Sequence, residues 1–135
     1  MDTLIQTQDQ DKIMFNRKTV NIPIYHGKLD ICITDDRERM AKDYKDVGGF
    51  NDEVFAHTLY NESKGVFAVV LNPLNSISKL SQGIIAHEAV HVVNFVFGSR
   101  GVIPDTDNDE PMAYFVEWVV DEINKYLQSL KIDVK

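Results

Sequence analysis

Cysteine is almost missing: Cys32 is the only one in 135 residues, so no intramolecular disulfide can form. Set in Leu29-Asp30-Ile31-Cys32-Ile33-Thr34, it reads as a small buried hydrophobe of a strand rather than as a reactive thiol. No apolar run is long enough to cross a bilayer, because the longest, residues 84–97, is broken by His87, Glu88, His91 and Asn94. The first 18 residues are polar and lack the apolar centre of a signal peptide. These absences point to a cytoplasmic protein without membrane contact, or a virion-associated one if a virus encodes it. Repeats and low-complexity tracts are lacking too. Basic residues are absent from residues 101–124, where Asp105, Asp107, Asp109, Glu110, Glu117, Asp121 and Glu122 fall. Elsewhere the two signs balance, so this stretch carries the net charge of −7. An acidic chain with its excess in one place is a poor match for a phosphate backbone, which sets nucleic acid aside and favours a cation or a basic partner.

What is present suits a packed core: 44% of residues are hydrophobic and 26% charged. The length allows one domain, 1–135, with residues 1–18 as a polar N-terminal arm suited to docking on a neighbour in a homo-oligomer or larger assembly. Residues 19–25 alternate weakly and contain Pro23, which predicts an edge strand, and His26-Gly27 turns it into a second strand over 28–34. Asp35-Asp36 caps a short charged helix to about residue 46, stopped by Gly48-Gly49. Residues 53–60 and 66–71 are rich in β formers and, with Gly65 closing the connection, read as a second hairpin. Ser76 or Ser78 caps a helix reaching residue 97, with Gly98 at C′. Its middle is apolar nearly all round, so it is expected to be central and buried. A last helix covers about residues 108–130 with Pro111 in its first turn. The fold class expected is α+β: a small antiparallel or mixed sheet from the N-terminal half, packed on two long helices.

The central helix carries His87-Glu88-Ala89-Val90-His91. Spacing i, i+4 puts both imidazoles one turn apart on one face, within reach of a single metal ion. Glu88 cannot bind in the same plane but can reach a water on the metal. Three ionisable groups in the most apolar helix need compensation, and a divalent cation supplies it. A catalytic zinc takes three protein ligands and keeps a fourth position open. Two carboxylates compete for the third place: Glu110, after 18 intervening residues, and Glu117, seven residues on and on the same helical face. Spacing and context favour Glu110, leaving Glu117 behind a ligand histidine. Asp121 reads as solvated helix surface, and Asn94 either points at the site or ties the helix to backbone. His26 and His57 read as surface or turn histidines, and Phe115, Trp118 and Tyr126 as core. Tyr114 or Tyr60 is the candidate neutral donor opposite the metal.

H-E-x-x-H followed by 18 residues and a Glu that opens a helix as D-E-x-x-A resembles the gluzincin metallopeptidases, and at this length the single-domain minigluzincins. The likeness covers residues 76–122; the N-terminal half is similar only in kind, a small sheet preceding the active-site helix. It implies a zincin-like fold in which His87, His91 and Glu110 bind Zn2+ and Glu88 is the catalytic base. It also implies a peptide or protein substrate held along one strand of the 53–71 hairpin. Tyr114 stands four residues after Glu110, where many members have an aspartate. The expected function is therefore a zinc-dependent peptidase. The alternative is a structural or assembly protein that keeps the scaffold and its zinc without turnover.

Overall fold

The structure, a computed structural model, describes residues 15–36, 38, 39, 42, 56–72 and 80–135. Four strands form one mixed sheet: β1 (Phe15–Asn21), β2 (Lys28–Thr34), β3 (Ala56–Asn61) and β4 (Val66–Leu71). Their order is β1-β2-β4-β3. β1 runs antiparallel to β2, β2 parallel to β4, and β3 antiparallel to β4. Two helices follow, α1 (Gln82–Arg100) and α2 (Glu110–Ser129). The class is α+β, with the small sheet packed on the helices. No helix among the described residues is long and apolar enough to cross a membrane.

The inner strands are apolar almost throughout, as strands buried on both faces require. Leu29, Ile31, Ile33, Phe67, Val69 and Leu71 join the helices in the main core, while Cys32, Leu59, Ala68 and Val70 form a second buried cluster on the opposite face. α2 contributes Phe115, Val119, Ile123 and Leu127, an i, i+4 stripe that marks an amphipathic helix with one buried side. Val119 and Ile123 are fully buried, and truncating either to Ala would cost about 2–4 kcal/mol.

Several boundaries differ from those expected. β1 starts at Phe15 and ends at Asn21, so residues 15–18 belong to the sheet rather than to a free arm. Residues 1–14, the rest of that arm, lie outside the described residues. Pro23 falls in the turn instead of the strand. There the Tyr25 N–H donates to the Pro23 carbonyl at 2.6 Å around Ile24 at φ 66°. This is a γ-turn of the strained, positive-φ kind, rare for a β-branched residue. Tertiary contacts hold it: the Tyr25 ring packs 5.2 Å from Phe97 and 5.1 Å from Phe115. Arg100 donates to the Tyr25 carbonyl at 2.7 Å and to the His26 carbonyl at 3.2 Å.

α1 begins at Ser81, whose hydroxyl accepts the Ile84 N–H at 3.2 Å, and ends at Gly101 in the left-handed region (φ 70°). The expected caps Ser76 and Ser78 lie outside the described residues, and Gly98 is inside the helix. The extra turn carries Arg100 to the β1–β2 connection, where it makes the two bonds just given. Asp36 accepts the Arg39 N–H at 3.1 Å as an N-cap would, and residues 38, 39 and 42 are helical. The remainder of that helix, the Gly48-Gly49 stop and residues 53–55 lie outside the described residues.

Gly27 sits where the turn, the β3–β4 connection and Arg100 meet. At φ 93°, a Cβ there would stand 2.8 Å from the Gly65 carbonyl oxygen and 2.9 Å from the Arg100 guanidinium. Gly27→Ala is therefore expected to destabilise the fold by about 1–3 kcal/mol, read as a lower urea midpoint with an unchanged slope. An unchanged midpoint would show that this junction yields easily.

Candidate metal centre

α1 lies with one side on β3 and β4 and another on α2, so its third side remains open. Ile85, Glu88, Ala89, Val92, Val93, Val96 and Phe97 face inward. His87, Val90, His91 and Asn94 face out. The helix is central, as its composition implies, but it is not buried all round. The burial argument for a cation therefore applies to Glu88 alone, because the His87 side chain is 68% exposed and His91 is exposed as well.

The i, i+4 spacing brings the two imidazoles together with Nε2 atoms 3.2 Å apart and ring planes at 76°. Without a metal, that distance suits an N–H···N bond between complementary tautomers. It also suits zinc: two nitrogens 2.0–2.1 Å from a tetrahedral ion stand roughly 3.3 Å apart. The pair thus presents one edge of a coordination tetrahedron to solvent. Phe95, one turn further, stacks against His91 and packs on Tyr60.

Glu88 is 6% exposed and points from the helix toward the sheet. Its Oε1 accepts the Thr58 hydroxyl at 2.7 Å, which answers the cost of burying a carboxylate. Its Oε2 lies 4.0 Å from His87 Nε2. Ala56, His57, Thr58, His87, Glu88, His91 and Phe95 line one cleft of about 270 Å³. β3, an outer strand of the sheet, thus forms one wall and the H-E-x-x-H face the other. His57, expected at a surface or turn, is in that wall. Thr58 gave no sequence signal: a threonine in a β-rich stretch reads as strand until the helix opposite is known. His26 is an exposed turn residue, as expected, and Asn94 is exposed and its side chain makes no hydrogen bond to backbone among the described residues.

Among the described residues, no three His, Cys, Asp or Glu side chains group where an ion would sit. Glu110 is exposed at the first position of α2. Two cross-links bracket the antiparallel register of the helices. Gln82 and Asn124 exchange amide bonds at 2.8 and 2.9 Å, and the Phe97 and Phe115 rings stand 5.9 Å apart. Counting from the first link brings His91 level with Phe115, and from the second, level with Asp121. Glu117 falls within that interval. Glu110 comes level with the C-terminal end of α1, roughly 8 Å or more along the axis from His91 at 1.5 Å per residue. The structure does not bring Glu110 to the histidines, and Glu117 is the nearer carboxylate by level. Glu117 and Asp121 are both exposed.

Tyr114 is also away from the cleft. It is 66% exposed and lines a separate groove of about 240 Å³ with Pro23, Ile24, Tyr25, Pro111, Phe115 and Trp118. It therefore has no part in the cleft wall, whereas Tyr60 approaches it through Phe95. Phe115 is core, and Trp118 and Tyr126 are half-buried against it.

By level alone Glu117 ranks before Glu110: were the histidine pair to hold zinc, Glu117→Ala would weaken that binding more than Glu110→Ala, read by competition with a fluorescent chelator. The reverse order would show that α2 shifts by two turns when metal binds. Compared with protein-family models, with curated proteins and with solved structures, the chain matches none.

Proposed function

We propose that this chain is a zinc-dependent peptidase. The observation that carries the reading is the convergent His87–His91 pair beside a buried, anchored Glu88, all in one cleft with an outer strand. His87 and His91 hold the zinc, and a carboxylate of α2 completes the set. The helix register favours Glu117 over Glu110, and it leaves Asp121 four residues after the ligand, the interval that the gluzincin pattern uses. Bound there, zinc would supply a Lewis acid for the scissile carbonyl and bring water toward ionisation at neutral pH.

The remaining chemistry belongs to side chains already in place. Glu88 takes the proton of the attacking water and hands it to the departing amine, as a general base and then acid. β3, an outer strand of the described sheet, holds an extended peptide by main-chain hydrogen bonds. The acids of residues 105–121 make basic or amine-bearing substrates the better electrostatic match. A cytoplasmic setting fits the single thiol, which is fully buried.

The second reading, an assembly protein without turnover, is favoured by one observation: the described residues do not complete a three-ligand set. Glu88→Gln separates the two. In a peptidase it retains zinc and lowers kcat on fluorescein-labelled casein by about 10²–10⁴-fold. A wild-type chain that binds zinc and never cleaves, even across a peptide library, selects the assembly reading.

A further inference from the structure

We infer that Thr58 is a positioning residue that fixes which oxygen of Glu88 acts as the base; this rests on the peptidase reading. The Thr58 hydroxyl has one proton and two acceptors within reach, Glu88 Oε1 at 2.7 Å and the Glu88 carbonyl oxygen at 3.3 Å. The shorter contact takes it, because a hydrogen bond to a carboxylate is the stronger of the two. Oε1 is thereby occupied from the sheet side. Oε2 remains, and it lies 4.0 Å from His87 Nε2.

The choice of threonine follows from the strand. Thr58, in β3, pairs with Val69 of β4, and a β-branched side chain in a strand is stiff at χ1, so the hydroxyl is a fixed donor. Ala56 and Tyr60, two residues to either side, pack in the same core and hold the strand against α1. Glu88 has no such stiffness of its own, since a glutamate side chain turns about three bonds. Thr58 removes that freedom at the carboxylate end.

In the reaction, the proton of water passes to Oε2 while its oxygen bonds to the peptide carbonyl carbon. The same proton then leaves with the amine as the carbon–nitrogen bond breaks. Throughout, Oε1 stays an acceptor, so the Thr58 bond survives both protonation states. A misplaced base loses rate without losing metal, and because the Thr58 hydroxyl is engaged with Glu88 its replacement leaves the main chain of β3 free to hold the peptide.

The test compares wild type, Thr58→Val, Thr58→Ser and Thr58→Ala, each zinc-loaded, with fluorescein-labelled casein as probe. Thr58→Val keeps the shape and lacks the donor, and is expected to lower kcat about 10- to 100-fold. KM and zinc affinity should move less than about twofold. Thr58→Ser should recover most of the rate, and Thr58→Ala should match Thr58→Val. Crystal structures of the zinc-free variants give a second readout: Glu88 holds one rotamer in wild type and Thr58→Ser and loses it in Thr58→Val. An unchanged kcat in Thr58→Val overturns the inference, as does a serine variant no better than valine. So does a rate loss that tracks lost zinc or lost folding, since that marks a structural role. A wild type that binds zinc without cleaving removes the peptidase reading itself, a result separate from active wild type with active Thr58→Val.

Discussion

The bond from Thr58 to Glu88 joins the sheet to the helix across the cleft that the two imidazoles share. Its cause is the pitch of α1. A helix that packs through Ile85, Ala89, Val92 and Val96 carries position 88 at the edge of its buried arc, beside Val92, and positions 87 and 91 outward. A carboxylate carried inside needs a donor, and β3 offers one. The same rotation that buries Glu88 exposes the two imidazoles side by side. One orientation of one helix thus provides both a shielded carboxylate and an open pair of imidazoles.

That orientation is fixed from both ends. At the start of α1, Lys135 and Leu80 pair through the Lys135 N–H at 2.9 Å, and the Gln82 N–H returns to the Lys135 carbonyl at 3.1 Å. The C-terminal segment therefore anchors the helix beside its Ser81 cap, and the Gln82–Asn124 amide pair sets its register on α2. At the far end Arg100 grips the β1–β2 turn, where its positive charge also suits a helix C-terminus. The turn carries strained backbone at Ile24, held by the Tyr25 ring and by Arg100. Nothing at the cleft itself is strained in this way, and the rigidity there comes from the elements around it.

Much of this was legible in the residue pattern. The His26-Gly27 turn before residues 28–34, the β-rich run at 66–71, the long apolar segment around residue 90 and the proline at 111 located both inner strands and both helices. The i, i+4 histidines were bound to share a face once that segment was helical. What the pattern hid depends on partners distant in sequence. Gly98 and Gly101 are equally good stops for a helix, and only Arg100's bonds to residues 25 and 26 decide between them. Glu110 and Glu117 share a helical face, and only the side-by-side level of two antiparallel helices separates their heights relative to His91. Tyr114 looked suited to the cleft because it is near Glu110, yet α2 turns it toward Tyr25 and Trp118. Thr58 and His57 became visible only when β3 took the outer place in the sheet.

The claim that supports the rest is that His87 and His91 share one zinc ion. X-ray absorption at the zinc edge, on full-length chain reconstituted with one equivalent of zinc, tests it most directly. The account predicts one tightly held ion per chain with two imidazole nitrogens at about 2.0–2.1 Å and oxygen in the remaining places. A chain that stays metal-free after zinc is added back, or a bound ion with no imidazole among its ligands, would contradict it.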